Sequence, residues 1–191
     1  MIKYPSGKTY QKKSEKTKIR SSSLANRGMA LEDDINKSNE YYRDKNIALI
    51  TKRPTPINVV KVDYSRGAKI IDAYFEKQST TDYNGVFQGK YLDFEAKSTI
   101  SKTSLPLANI TKHQIEHIKK VQEHGGIAFF IIRFSSLNET YLIDASFVIN
   151  QFKEQKRKSL AYLQLKKVAY LIEEGFQPRL DYLSVVKKVY F

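Results

Sequence analysis

The segment 127–134 reads IAFFIIRF, a nearly continuous apolar run. A strand with apolar side chains on both faces is typical of a sheet that is covered by helices on each side. The neighbouring sequence supplies such elements, because helix-like and strand-like segments alternate along the chain. Helices are predicted at residues 24–46, 111–124, 146–156 and 182–190, strands at residues 47–51, 57–62, 91–97 and 140–143, and a loop at 102–110. Residues 159–174 fit a helix without excluding short strands. We therefore expect an α/β fold with a central mixed β-sheet flanked by helices.

The charge balance indicates a polyanionic partner. Lys and Arg number 33 against 20 Asp and Glu, which gives a formal charge of +13 over 191 residues. Such an excess favours nucleic-acid binding, although a ribosomal-type protein or a membrane-surface binder has a similar composition. Residues 1–23 are predicted to be a flexible basic arm that follows phosphates, or equally a tail with no specific role.

The remaining composition excludes several classes. There is no cysteine, so a disulfide or a thiolate zinc site is impossible. No stretch approaches the roughly 20 apolar residues that span a bilayer, and the N-terminus lacks the apolar core of a signal peptide. We expect a cytoplasmic protein with no membrane partner.

The candidate chemistry lies in the strand predicted at 91–97. Side chains alternate along a strand, so Asp93, Glu95 and Lys97 share one face while apolar residues occupy the other. A turn predicted at Asn84–Gly85 would bring Asp82 across to the same cluster. Carboxylates held together need a cation between them, and hard oxygen ligands suit Mg²⁺. The pattern is that of a metal-dependent phosphodiesterase, although such a spacing by itself more often marks solvated surface charge.

The helix predicted at 111–124 offers a further polar group and a competing motif. Thr111 is its expected N-cap, and Gln114 lies on its apolar side, where it could reach a metal site or simply bond to backbone as a core residue. His113 and His117 fit the H-x-x-E-H pattern of inverted zinc peptidases. We expect His113, His117 and His124 on the exposed flank of the helix, which disfavours zinc.

Residues 61–78 mix aromatic and basic side chains around a glycine. Exposed aromatics among cations can stack on unpaired nucleobases. The alternative is a plain hairpin whose aromatics belong to the core, and the residues alone favour this alternative. The side chains in question are Tyr64, Arg66, Lys69, Tyr74 and Phe75.

Together these segments carry a family resemblance. Thr80-x-Asp82, the run GKYLDFEAK at 89–97 and His113-Gln114 resemble the RecU family of Holliday-junction resolvases, which have a restriction-endonuclease-like core. The similarity extends to NRGM at 26–29, YSRGA at 64–68 and PRLDYL at 178–183.

The resemblance implies a Mg²⁺-dependent, structure-selective DNA endonuclease of recombination and repair, with Mn²⁺ as a substitute metal. Asp82 and Glu95 would bind the metal, with help from Thr80 and Gln114. Lys97 would orient the attacking hydroxide, and the 3′ oxygen would leave. Asp93 is expected to be a supporting hydrogen-bond acceptor.

It also implies an architecture and partners. A single nuclease domain at 24–191 would carry a stalk inserted at about 61–80 that enters the junction centre. The implied DNA-binding residues are Arg27, Tyr64, Arg66, Lys69, Tyr74 and Phe75. A junction presents two equivalent strands, so a homodimer is expected, and recombination proteins are implied partners. The alternatives are a restriction-like duplex endonuclease and a non-catalytic binder of junctions or single strands.

Overall fold

The computed structural model describes residues 24–76, 80–154 and 158–191, and at 24–28 it describes the backbone alone. The predicted basic arm at 1–23 lies outside the described residues. The helices are α1 (Leu24–Asp44), α2 (Lys112–Glu123), α3 (Ala145–Glu154), α4 (Tyr162–Val168) and α5 (Tyr182–Tyr190), with a 3-10 helix at Leu107–Asn109. The strands are β1 (Ala48–Lys52), β2 (Ile57–Asp63), β3 (Lys69–Phe75), β4 (Tyr83–Phe87), β5 (Lys90–Thr99), β6 (Ser104–Pro106), β7 (Ile127–Phe134), β8 (Glu139–Asp144), β9 (Ser159–Ala161) and β10 (Tyr170–Leu171).

A six-stranded mixed sheet forms the centre of the molecule, in the order β1-β4-β5-β7-β8-β10. Strands β5 and β7 are parallel, and the other neighbours are antiparallel. A parallel pair needs a crossover connection, and α2 lies in the one between β5 and β7. The predicted α/β class with a central mixed sheet is confirmed.

Each face of the sheet has its own hydrophobic core. Side chains of α1 and α5, such as Ile35 and Val186, pack on one face with Phe94 and Phe129. Side chains of α2 and α3 pack on the opposite face with alternate residues of β7, including Phe130. The run at 127–134 is therefore a central strand buried on both sides, as its composition predicted.

Stacked aromatic rings fix the strands that carry the candidate site. The ring of Phe94 stacks on that of Tyr83 at 4.9 Å between centroids and on that of Phe129 at 4.7 Å. These three residues belong to β4, β5 and β7, so the contacts hold three neighbouring strands in register. Such pairs add stabilisation beyond the area they bury.

The turn predicted at Asn84–Gly85 is wrong. Both residues lie within β4, and the chain reverses instead at Gln88 and Gly89, which have φ values of 49° and 75°. Two central residues with positive φ suit a tight hairpin turn. Gly85 allows β4 to pack closely against β1, because a Cβ at this position would lie 2.2 Å from the carbonyl oxygen of Leu49 in β1.

Strands β2 and β3 form a hairpin that is separate from the main sheet. They pair only with each other among the described strands, and all seven residues of β3 are exposed. The hairpin starts at Ile57, four residues before the start predicted for the stalk, and residues 77–79 of the predicted segment lie outside the described part of the chain. Tyr64, Tyr74 and Phe75 are 75%, 60% and 78% exposed, so the alternative in which these aromatic side chains belong to the core is wrong.

The other predicted helices and strands are confirmed with small shifts, although residues 155–156 of the helix predicted at 146–156 lie outside the described part of the chain. Thr111 caps α2 in a capping box with Gln114, and Gly125 follows the helix with a φ of 80°. The predicted loop at 102–110 contains β6 and the 3-10 helix, and the ambiguous segment 159–174 divides into β9, α4 and β10. Among the described residues, no helix is long and apolar enough to cross a membrane.

Candidate active site

Strand β5 presents two carboxylates to the face that α2 covers. Its apolar residues Leu92 and Phe94 pack in the core beneath α1 and α5. Asp93 and Glu95 alternate with them and have no solvent exposure. Burying two charges is costly unless polar partners surround them, so the neighbours of each carboxylate define what the site can do.

Asp82 lies directly beside Glu95. Strands β4 and β5 are antiparallel with Tyr83 opposite Phe94, which places the residue before β4 next to Glu95. The main-chain N–H of Asp82 donates to Oε2 of Glu95 at 3.2 Å, and the N–H of Ala96 donates to Oδ2 of Asp82 at 3.1 Å. These reciprocal bonds fix the two carboxylates on neighbouring chain segments.

The second oxygen of Glu95 has two further partners. Nζ of Lys97 lies 2.5 Å from Oε1, and Nε2 of Gln114 donates to the same oxygen at 2.6 Å. The side-chain oxygen of Gln114 accepts the main-chain N–H of Thr111 at 3.0 Å. Gln114 thus joins the start of α2 to the carboxylate of Glu95. In this arrangement the amide nitrogen of Gln114, and not its oxygen, faces the site. The role of Gln114 as an oxygen ligand of the metal stays a prediction, and it requires the side-chain amide to rotate.

The electrostatics of Glu95 indicate a place for a cation. Burial, and next the negative charge of Asp82, raise the pKa of Glu95 from 4.5 to about 8, although Lys97 acts in the opposite direction. A carboxylate whose pKa is raised by a neighbouring carboxylate is typical of sites that work with a bound metal or a proton. A divalent cation between the two groups would remove this repulsion.

The donor set fits Mg²⁺. Within the described ranges no three His, Asp or Glu side chains cluster as a ready metal cage. Mg²⁺ does not need one, since it commonly binds through one or two carboxylates and keeps several waters for a phosphate to replace. Asp82 and Glu95 would hold it, and Thr80, half-buried two residues before Asp82, would offer a hydroxyl.

A second polar cluster surrounds Asp93. Its carboxylate accepts hydrogen bonds from Thr81 and from the hydroxyl of Tyr91 at 2.8 Å. It also lies 2.6 Å from the guanidinium of Arg53 and 3.1 Å from Nε2 of His117. The predicted role of Asp93 as a hydrogen-bond acceptor agrees with these contacts, whereas its four partners were absent from the sequence-based site.

The predicted exposure of the α2 histidines is wrong for His117. His113 and His124 are exposed, but His117 turns toward Asp93 and is half-buried. It follows Gln114 by three residues, and residues at that spacing lie on the same side of a helix. The spacing from the inward Gln114 was the signal that could have located it. Glu116, the acid of the H-x-x-E-H pattern, pairs with Lys112 at 3.5 Å instead.

The predicted DNA-binding residues lie apart from the carboxylates. Tyr64, Arg66, Lys69, Tyr74 and Phe75 belong to the exposed β2–β3 hairpin and its turn. Arg27 lies in the first turns of α1, and its side chain is outside the described residues. The structure therefore joins Asp82, Glu95, Lys97 and Gln114 in one site, with the aromatic and basic group on a separate projection.

The sequence of the chain matches known proteins along its whole length. The family model described as Recombination protein U matches residues 26–188. The chain is 52% identical over 198 residues to the Holliday junction resolvase RecU of Geobacillus sp. (strain WCH70), covering 100% of this chain and 98% of that protein. The same identity and coverage are found, over 196 residues, with the Holliday junction resolvase RecU of Geobacillus kaustophilus (strain HTA426).

A solved structure is also similar at a distance. Archaeoglobus fulgidus Hjc, a Holliday junction resolvase from an archaeal hyperthermophile, matches with a TM-score of 0.39 and 13% identity over 70% of this chain and 86% of that one. This similarity carries no weight in the assignment, which rests on the sequence matches. A family match over most of the chain, with relatives half identical to it from end to end, shows that the chain belongs to the RecU family.

Proposed function

We propose that this chain is a Mg²⁺-dependent endonuclease that resolves Holliday junctions during DNA recombination and repair. The observation that carries the proposal is the pairing of half-buried Asp82 with buried Glu95, with Nζ of Lys97 at 2.5 Å from Glu95. Two carboxylates and a lysine on adjacent chain segments are suited to hydrolysis of a phosphodiester. The full-length similarity to proteins named Holliday junction resolvase supports the substrate.

The protein groups have separate roles in this reaction. When bound, Mg²⁺ supplies a Lewis acid for the scissile phosphate and lowers the pKa of a water nucleophile; Mn²⁺ is expected to substitute. Asp82 and Glu95 would hold the metal, and Thr80 would add a hydroxyl. Gln114 keeps Glu95 in place through the bond at 2.6 Å, so that the carboxylate does not rotate when the substrate enters.

Lys97 acts on the reacting phosphate. Its Nζ lies against Glu95, and its side chain is 20% exposed, so the ammonium can reach a phosphate without leaving the carboxylate. A cation at this place orients the attacking oxygen and stabilises the negative charge that grows in the transition state. A water loses one proton and attacks the phosphorus, the bond to the 3′ oxygen breaks, and that oxygen takes up one proton, so that one water is consumed for each cut.

Selection of branched DNA is assigned to the β2–β3 hairpin. Phosphate contacts fix a protein on DNA but do not distinguish a junction from a duplex. The hairpin carries exposed rings and cations, including Tyr74, Phe75 and Lys69, which can stack on unpaired bases and hold the backbone. Its exposure supports a role as the part that enters an open junction centre.

The assembly and location follow from this substrate. A four-way junction has two equivalent strands to cut, which a two-fold homodimer with two sites would match. Recombination intermediates form on chromosomal DNA, so we place the protein in the cytoplasm with that DNA and expect contacts with recombination proteins.

Separation of cutting from binding tests the proposal. Asp82→Asn and Glu95→Gln each remove a charge that faces the cation and leave the basic surface unchanged. Cutting of a labelled four-way junction should fall at least about 100-fold, the ratio for about 3 kcal/mol of lost transition-state stabilisation. Junction binding in Ca²⁺ should stay within about threefold of wild type, since the phosphate contacts remain.

The matched control is Glu123→Gln, which removes an exposed acid from the end of α2 that pairs with Lys119. It should cut and bind as wild type does. Near-normal cutting by either site variant at saturating Mg²⁺ would refute the assignment of the carboxylates.

A further inference from the structure

The two chain connections that lead to the β2–β3 hairpin meet beside Asp82. The outgoing connection follows β1 and contains Arg53, and the returning one contains Thr81 and Asp82. At the base of the hairpin, the N–H of Glu76 donates to the carbonyl oxygen of Pro56 at 2.9 Å. The residue that would bind the metal therefore lies at a point where the chain leaves and re-enters the nuclease core.

Arg53 holds both connections together. Its main-chain N–H donates to the carbonyl oxygen of Asp82 at 2.8 Å. One guanidinium nitrogen donates to Oγ1 of Thr81 at 2.9 Å, and the other donates to Asp93 at 2.6 Å and to the hydroxyl of Tyr91 at 2.9 Å. The planar fork of arginine suits such a set of partners, and a lysine cannot reproduce it.

Asp93, in the central strand β5, anchors both Arg53 and Thr81. Its carboxylate is fully buried in β5 and accepts the hydroxyl of Thr81, so Thr81 is bound on one side by Arg53 and on the other by Asp93. Arg53 and Asp93 form an ion pair at 2.6 Å, with 18% of the arginine side chain and none of the carboxylate exposed.

We propose that Arg53, anchored on Asp93, is a positioning residue that fixes Asp82 for metal binding. The inference rests on the proposed metal-dependent function. In the described part of the chain, Arg53 and Thr81 form no hydrogen bond or ion pair with Glu95 or Lys97; they hold the segment 81–82 from outside the site. Residues that orient metal ligands in this way commonly change metal affinity or activity by about 10- to 100-fold when they are altered.

A purely structural ion pair would predict a different result. In that case Arg53 would stabilise the fold by neutralising Asp93, and Arg53→Lys would restore most of its effect because the charge is retained. A positioning role predicts that Arg53→Lys recovers folding and leaves metal binding weak, because the ammonium cannot bond to Thr81 and Asp93 in the same planar geometry. Thr81→Val provides an independent test, since it removes the bridging hydroxyl and retains both charges.

The experiment measures Mn²⁺ binding to the full chain without DNA, by isothermal titration calorimetry and by electron paramagnetic resonance of free Mn²⁺. Wild type is compared with Arg53→Lys, Arg53→Gln and Thr81→Val, and each variant is melted by circular dichroism first. The control is Arg43→Gln, which removes one arginine charge from an exposed part of α1. Arg53→Lys and Thr81→Val should raise the Mn²⁺ dissociation constant about tenfold or more, and the control should match wild type.

The outcomes separate this inference from the proposed function. Wild type that binds no Mn²⁺ and cuts no junction would refute the proposed function itself. Wild type that binds and cuts, with Arg53→Lys and Thr81→Val binding Mn²⁺ within about twofold of it, would overturn the positioning role alone. If all three variants fail to fold, Arg53 serves the fold and the inference is equally overturned.

Discussion

The buried carboxylate of Glu95 should make the metal-free protein less stable as pH rises. Burial and the nearby Asp82 raise the pKa of Glu95 to about 8 in the folded chain, against 4.5 as its ordinary value. Between these two pH values the folded state holds a proton that the unfolded state has released. Stability therefore falls through this window as pH rises, and the full cost is present only above about pH 8.

The size of the effect follows from the shift in pKa. A pKa difference of one corresponds to about 1.4 kcal/mol. The rise in the pKa of Glu95 from 4.5 to about 8 therefore corresponds to at most about 5 kcal/mol of unfolding free energy. This is a large part of the 5–15 kcal/mol that stabilises an ordinary domain. Glu95→Gln carries no charge at any pH, so it should remove the cost while it abolishes cutting.

Urea denaturation in EDTA at about pH 5 and about pH 9 measures this effect. We expect the difference in unfolding free energy between Glu95→Gln and wild type to grow by about 3–5 kcal/mol between these pH values. Glu123→Gln is the control, because that acid is exposed, and its difference from wild type should stay constant. Added Mg²⁺ should recover the stability of wild type at high pH, since a ligand that binds only the native state stabilises it. A difference for Glu95→Gln that does not change with pH would refute the reasoning.

Three further predictions concern packing, the hairpin and the histidines. Gly85→Ala should destabilise the fold by about 1–3 kcal/mol in urea, because the new Cβ would overlap the carbonyl of Leu49; an unchanged midpoint would contradict the close packing of β1 on β4. Replacing residues 57–75 with a short glycine-containing turn should leave a folded core by circular dichroism that loses its preference for junctions; a variant that resolves junctions at the wild-type rate would place selectivity elsewhere. His113→Ala should leave the melting temperature unchanged, whereas His117→Ala should lower stability by about 1 kcal/mol, because it removes a partner of a buried carboxylate; equal effects would contradict the contact.

The sequence predicted those parts of the site that depend on local periodicity. Alternation along β5 placed Asp93 and Glu95 on one face, and the helical spacing of α2 placed Gln114 toward them. The apolar run at 127–134 predicted a central strand, because few other arrangements bury both of its faces. Each of these signals lies within about ten residues of the chain.

The errors came from residues whose partners are distant in sequence. Asn84–Gly85 has the composition of a turn, yet Gly85 is needed because β1 passes close to β4, a tertiary demand that local composition does not report. Helical spacing places His117 on the flank away from the apolar stripe of α2 and so predicts exposure, but Asp93 on β5 provides it with a partner 24 residues away in sequence. Arg53 lies 40 residues from Asp93, and no local pattern indicates the pair.

Cutting of DNA with defined geometry tests the central claim most directly. A labelled four-way junction and a linear duplex of the same sequence are each incubated with the wild-type protein, with Mg²⁺ and with EDTA. We expect paired cuts near the junction centre in Mg²⁺, little cutting of the duplex, and no cutting of either substrate in EDTA. Equal cutting of the duplex would indicate a restriction-like duplex endonuclease, and junction binding without any cutting in Mg²⁺ would contradict the proposed chemistry of Asp82 and Glu95.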